Sequence, residues 1–327
     1  MSSENLRKKL TTISPTAFQH PLDIQAIDAL KKLKGFDFLC HKMIEYGYEK
    51  VRYVDLVANH VKVTPRQCPK IYEIFKDAVE TLDVPEPALF IGQSPELNAY
   101  TAGSENPFVV LNSTLVEMLT EDELLAVIGH ELGHIKCKHG IYSMVADFLR
   151  EFVDIISGAT FGIGNLLSSG LELALFTWYR KAELSCDRAA LLVTQNLDAC
   201  LKVLMKLSGG SKVIAEQMNV EEFVKQADLY KEMDNDTLNK IYKFLLTRYQ
   251  THPYSVLRAK EIKMWAESDE CRRILQGDYH KMEQTQKEKE VNVSVASSSP
   301  SATISATKDA AVGFVKTGIK GLFGKPK

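Results

Sequence analysis

Neither positive nor negative charge is in excess in this sequence: 40 Lys and Arg stand against 42 Asp and Glu, for a formal net charge of -2 over 327 residues. The two signs are interleaved, so no long-range field favours nucleic acid or a strongly acidic partner. Paired cysteines are also missing. Cys40, Cys68, Cys137, Cys186, Cys200 and Cys271 are widely scattered and form no CxxC, which excludes a zinc ribbon and suggests no disulfide framework. A reducing compartment fits such usage. The first residues, Met1 to Lys9, lead into a polar stretch without the apolar core of a secretory signal, so the expected location is cytoplasmic. No run of about 20 predominantly apolar residues is present, as a spanning helix requires. The most apolar stretch, Phe152 to Phe176, is free of charge only over 155–171 and is interrupted by Gly158, Gly162, Gly164, Asn165 and Gly170. It reads as a buried or surface helical hairpin rather than a membrane span.

What is present is an ordinary globular composition, 45% hydrophobic and 25% charged, long enough to bury one large core or two smaller ones. Apolar residues recur at helical spacing from Leu22 to Leu82, as in Ile24, Ile27, Leu30 and Leu33 and again in Ile71, Ile74, Phe75 and Ala78. Residues 1–86 therefore form an N-terminal helical region, expected to pack on the domain C-terminal to it. Between Pro87 and Asn112 short β-prone runs alternate with Gly, Pro, Ser and Asn, which predicts a small antiparallel sheet. Helical periodicity then returns in Trp178 to Gln195, Asp198 to Leu207, Val220 to Glu232 and Thr237 to Tyr249. The fold class is predominantly α with a small antiparallel sheet (α+β), its main domain covering 87–282. Residues 283–307 are too poor in large apolar side chains to pack and read as a disordered linker. Residues 308–327 recover an amphipathic pattern. Val312, Val315, Ile319, Leu322 and Phe323 form a stripe bordered by Lys316 and Lys320, suited to an anionic membrane surface or a partner groove.

The chemistry is concentrated in His130-Glu131-Leu132-Gly133-His134. Thr120-Glu121-Asp122-Glu123 has the pattern of a capping box and predicts a helix that runs through His134 and stops by Gly140. Histidines at i and i+4 lie on one helical face about 6 Å apart along the axis, close enough for both to reach one zinc ion. Glu131, rotated by about 100° from His130, borders the site without having to ligate and is placed to take a proton from an activated water. A third ligand is needed. His139, five residues past His134, would point away from the metal face on a continuing helix and reads as a solvated or local-contact residue. Cys137 is a rival at i+3, but thiolate ligation would make an open site redox-sensitive. Glu183, in Lys181-Ala182-Glu183-Leu184-Ser185-Cys186-Asp187-Arg188, fits better, because a second helix can deliver one carboxylate to the ion while Asp187 at i+4 backs it.

These residues resemble the M48 family of metallopeptidases, which includes the integral-membrane CAAX prenyl proteases and the HtpX-type membrane proteases. The resemblance covers roughly Pro87 to Arg258. HExxH is followed by ExxxD, matched by Glu183 and Asp187, and by His-Pro with an Arg six residues after the His, matched by His252, Pro253 and Arg258. It implies a gluzincin-like catalytic domain holding one zinc ion on His130, His134 and Glu183. In it, His252 would stabilise the oxyanion, Arg258 would orient the site, and the strand around Asn98, Ala99 and Tyr100 would hold peptide substrate in extended form. An earlier His-Pro, His20-Pro21, lacks the matching Arg, since Ala26 stands there, and His20 is read as a surface or capping residue. The several spans of the integral-membrane members are absent, so prenyl-protein processing does not carry over. The expected activity is a zinc-dependent endopeptidase with Glu131 as general base. The rival readings are a zinc-containing scaffold or chaperone-like binder of the same fold, or an adaptor recruited through 308–325.

Overall fold

The computed structural model describes residues 7–282 apart from 34–35, 37–39, 42–47, 147–162, 212 and 236–253. The expectations placed on His252, on the Thr237 to Tyr249 helix and on everything beyond residue 282 lie outside the described residues, as do residues 152–162 of the apolar stretch. Its remaining residues, 163–176, belong to one long helix.

The elements that position the site run in chain order: α1 (Pro21–Lys31), α2 (Tyr48–Asn59), β1 (Val61–Lys62), α3 (Pro69–Leu82), β2 (Ala88–Gly92), β3 (Ala99–Ala102), β4 (Phe108–Asn112), α4 (Ser113–Met118), α5 (Glu121–Lys136), α6 (Ile163–Thr194), α7 (Leu197–Gly209), α8 (Val220–Glu232), α9 (Ser255–Ala266) and α10 (Asp269–Gln276). The predominantly helical α+β class is as expected. The sheet, however, is mixed rather than wholly antiparallel. Its order is β1-β2-β4-β3, with β2 and β4 parallel and the β1/β2 and β3/β4 pairs antiparallel. Alternation of apolar residues identifies a strand but carries no direction. Here the chain passes from β2 out to the far edge as β3 before returning as β4 between them. The fourth strand, β1, comes from the segment read as helical and is only two residues long, too short for any periodicity.

Helix α5 is the axis of the fold. Its capping box is formed: Thr120 Oγ1 accepts from the Glu123 amide at 3.4 Å and Glu123 Oε2 accepts from the Thr120 amide at 2.8 Å. Glu121, Asp122 and Glu123 in its first turn complement the helix dipole. From Glu123 to His134 every residue is buried, so the helix is enclosed rather than laid on a surface. Its main partner is α6, and the approach depends on two glycines. A Cβ at Gly129 would stand 2.8 Å from Val193 Cβ, and one at Gly133 would stand 2.8 Å from Ala189 Cβ and 3.0 Å from Cys186 Cα. Larger residues would hold α6, and Glu183 with it, away from the histidines. Leu10, Ile13 and Phe18 from the N-terminal segment join the same apolar cluster as Leu124, Ile128 and Leu192, while α1 packs along α6.

Candidate metal centre

His130 and His134 face the same side of α5, their ring centroids 5.2 Å apart. Their Nε2 atoms converge on one carboxylate of α6: His130 Nε2 lies 3.4 Å from Glu183 Oε2 and His134 Nε2 lies 3.4 Å from Glu183 Oε1. All three residues are buried, Glu183 completely. His134 Nε2 makes no hydrogen bond despite its burial, which leaves a lone pair without a proton donor in the interior, a costly arrangement for an imidazole unless it binds something. Ligand atoms about 2.0–2.1 Å from a tetrahedral ion are about 3.3 Å from each other. The observed separations therefore fit a shared divalent metal. Cys186 is a second candidate for the third position, since its Sγ and one nitrogen from each histidine lie within 4.8 Å of one another. Burial raises its thiol well above its ordinary value, which opposes the thiolate a metal needs. Cys137, the rival weighed from sequence, caps the end of α5 and its thiol is raised in the same way by burial.

The other nitrogens of the two imidazoles are occupied. His130 Nδ1 lies 3.1 Å from Asp187 Oδ1. Arg258, from α9, spans both carboxylates of α6: Nε and Nη2 reach Asp187 Oδ2 and Oδ1 at 2.8 and 2.6 Å, and Nη1 reaches Glu183 Oε2 at 2.8 Å. Glu183, Asp187 and Arg258 are thus brought together with the histidines as the motif order predicts. Burial alone would lower His130, but Glu183 and Asp187 outweigh it and pull its pKa up to about 10. Burial does win at His134, lowering it against the opposing pull of Glu183 and Glu131, with His130 adding a smaller push in the same direction. Asp187 is lowered although burial opposes it, chiefly by the Arg258 guanidinium. A place where carboxylates raise a buried histidine this far is a place that stabilises added positive charge.

Glu131 is held from the sheet. Its Oε2 accepts from Thr101 Oγ1 at 2.8 Å, and its backbone carbonyl accepts from the same hydroxyl at 3.2 Å. Thr101 belongs to β3, at the outer edge of the sheet beside α5. The direction of each β3 residue follows from the ladder. Asn98 O accepts from Asn112 N and Pro107 O accepts from Ala88 N, so Asn98, Tyr100 and Ala102 turn their backbone groups toward β4. Ala99 and Thr101 then turn theirs to the free edge. Of the three residues expected to hold substrate, only Ala99 has this orientation; Asn98 and Tyr100 are already paired. Thr101, two residues from Ala99 in the same expected strand, shares its orientation without being among the three residues singled out.

His139 needs the largest revision. The expectation of a residue directed away from the metal face assumed that α5 continues, but the helix ends at Lys136. Cys137 caps it, Lys138 takes a left-handed conformation (φ 59°), and the His139 amide donates to His134 O at 2.9 Å. The turn folds His139 back under the site, fully buried, with its Nδ1 3.1 Å from His134 Nδ1. His20 instead behaves as expected: it is the N-cap of α1, its Nδ1 accepting from the Leu22 amide at 3.1 Å. Beside His130 and Glu131 opens a cavity of about 140 Å³ with an apolar wall that includes Leu115, Val127, Val203 and Leu207.

Comparison with known proteins agrees with this geometry. Residues 65–266 match peptidase family M48. The chain is 36% identical over 260 residues, 79% of its length and 74% of the relative's, to the plastoglobule-localized metallopeptidase 48 of Arabidopsis thaliana chloroplasts. It is 32% identical over 112 residues to a protease HtpX homolog of Streptococcus pyogenes, 34% of this chain and 38% of that protein. No helix among the described residues is long and apolar enough to cross a membrane. With the match running through HExxH, Glu183 and Arg258, the chain belongs to peptidase family M48, the metal-dependent proteases.

Proposed function

We propose that the chain is a zinc-dependent endopeptidase whose ion is held by His130, His134 and Glu183. The observation that carries this reading is the convergence of both Nε2 atoms on one buried carboxylate at 3.4 Å. Two imidazoles and a carboxylate with one position left open make the usual donor set of a catalytic zinc. When bound, zinc supplies a Lewis acid that polarises the scissile carbonyl and lowers the pKa of water. Glu131 accepts the proton of the attacking water and later donates it to the leaving amine. Thr101 holds the Glu131 carboxylate from the sheet side, so the base is oriented before substrate arrives. The backbone of Ala99 and Thr101 pairs with the peptide as an added strand, which places a scissile bond beside Glu131. Such a strand passes the site in both directions, favouring an internal bond over a chain end. The cavity beside His130 receives an apolar side chain of the substrate. His252 is assigned the oxyanion role on the family resemblance alone.

The test is hydrolysis of a denatured protein substrate with and without chelator, repeated with Glu131→Gln. Removing the proton acceptor while keeping its shape should reduce turnover to near background with zinc still bound and the fold unchanged. Wild-type cleavage by zinc-loaded Glu131→Gln would overturn the assignment. Metal-independent client binding without cleavage would instead favour a scaffold.

A further inference from the structure

Each zinc histidine in the proposed set has a buried carboxylate behind it, but by different routes. For His130 the route is direct, through Asp187. For His134 it runs through His139 to the N-terminal helix: His139 Nε2 lies 3.1 Å from Oδ2 of Asp23, in the first turn of α1. Asp23 is fully buried and its remaining acceptor sites are filled, Oδ2 by Ser185 Oγ at 2.6 Å and Gln19 Nε2 at 3.0 Å, Oδ1 by Trp178 Nε1 at 3.1 Å. The indole of Trp178 also packs edge-on against the His139 ring, with centroids 5.5 Å apart. Both members of the relay are therefore locked in place by their surroundings.

The direction of the bonds follows from the chemistry of the groups. A carboxylate only accepts, so His139 Nε2 donates. The tautomer of His139 carrying that proton has a lone pair on Nδ1, which accepts the Nδ1–H of His134. His134 is then left with its lone pair on Nε2, the atom that faces Glu183 without a hydrogen bond. We infer that Asp23 and His139 are positioning residues for metal binding: through them, α1 selects the ligating tautomer of His134 and fixes the plane of its ring. Asp23 lies outside residues 65–266, so a segment preceding the family match completes the site. The inference rests on the proposed His130, His134 and Glu183 set.

Zinc affinity of the full-length protein, measured by competition with a chromophoric chelator, tests it. Outer partners of metal-binding histidines commonly contribute ten- to a hundredfold in affinity. His139→Phe, which removes both relay bonds, and Asp23→Asn should weaken zinc binding by about that factor. His139→Gln, whose amide can accept from His134 and donate to Asp23, should stay within a few-fold of wild type. Ser185→Ala removes one donor to Asp23 while His139, Gln19 and Trp178 still hold it, and should weaken zinc binding clearly less than Asp23→Asn, whatever it costs in thermal stability. The cobalt(II)-substituted protein adds a spectroscopic readout: its d–d bands should change in His139→Phe and persist in Ser185→Ala. Wild-type zinc affinity in folded His139→Phe or Asp23→Asn would overturn the inference. A Ser185→Ala loss as large as that of Asp23→Asn would also overturn it, by showing a structural effect only. His134→Ala separates the two levels: if it keeps full zinc affinity, the ligand set itself is wrong; if it loses zinc while the relay variants do not, only the relay fails.

Discussion

Replacing Arg258 with Gln tests the electrostatic reading of the site most directly. The guanidinium is buried and makes three charge-assisted contacts of 2.6–2.8 Å with Asp187 and Glu183, themselves buried. Removing one partner of a buried pair leaves an uncompensated charge and costs about 3–5 kcal/mol. For a domain of this size each kcal/mol shifts Tm by about 2–4 °C, so Tm should fall by about 6–20 °C. The assay is thermal unfolding in chelator, because a divalent ion would replace the missing positive charge. The pH dependence has a definite sign. Burial pushes Asp187 up, but Arg258 holds it below its ordinary value. In the wild type Asp187 therefore contributes stability above the unfolded carboxyl pKa of about 3.9, lost as pH falls through the lower folded value. Without Arg258 only His130 opposes burial, so the folded pKa of Asp187 moves up from its wild-type position. The variant's folded state then takes up a proton at higher pH than the wild type does, so its deficit should be largest near pH 7 and shrink toward pH 4. Zinc should recover part of the deficit at pH 7. A wild-type Tm in chelator at pH 7, or a deficit that grows on acidification, would refute the reasoning.

Glu183→Gln should lose most bound zinc while Cys186→Ser keeps it, as read by metal analysis after gel filtration; the reverse pattern would make Cys186 the third ligand. Zinc uptake at pH 7–8 should release about one proton per chain from His130, whose pKa in the metal-free protein is raised to about 10, as burial is outweighed by Glu183 and Asp187. Titration calorimetry in buffers of different ionisation enthalpy measures the release, which should vanish well above that pH. Full-length protein should co-sediment with anionic liposomes more than residues 1–300 do, if the stripe of Val312, Val315, Ile319, Leu322 and Phe323 with Lys316 and Lys320 lies on membranes; equal partitioning removes that role.

What was legible in the sequence was local. The capping box at Thr120 and the i, i+4 histidines are written within a few turns of one helix, and α8 runs from Val220 to Glu232 as periodicity predicts. Glu183 and Asp187 share one face of α6 for the same reason. The illegible parts depend on contacts between distant segments or on backbone direction. Nothing near Asp23 in the sequence marks it as the carboxylate beneath His139, since that pairing exists only once α1 lies along α6. His139 was misjudged because one left-handed residue, Lys138, replaced an assumed helical turn. The phase of β3 decides whether Tyr100 or Thr101 faces the free edge, and it is set by register with β4 rather than by composition.

The glycines of α5 connect these levels. Gly129 and Gly133 let α6 approach until its Cα and Cβ atoms leave no room for a side chain, and this distance brings Glu183 against the two Nε2 atoms. The same closeness excludes water, so Glu183 and Asp187 are two buried carboxylates facing one buried guanidinium. Among these three groups one negative charge is left over. The surplus favours a proton on His130, whose pKa Glu183 and Asp187 pull up to about 10 against its burial. In the proposed site, a divalent ion held by His130, His134 and Glu183 would take the place of that proton and supply the missing charge. Close helix packing, an unbonded His134 Nε2 and a strongly basic His130 are thus consequences of one design, in which the protein interior is arranged around a cation that it does not itself provide.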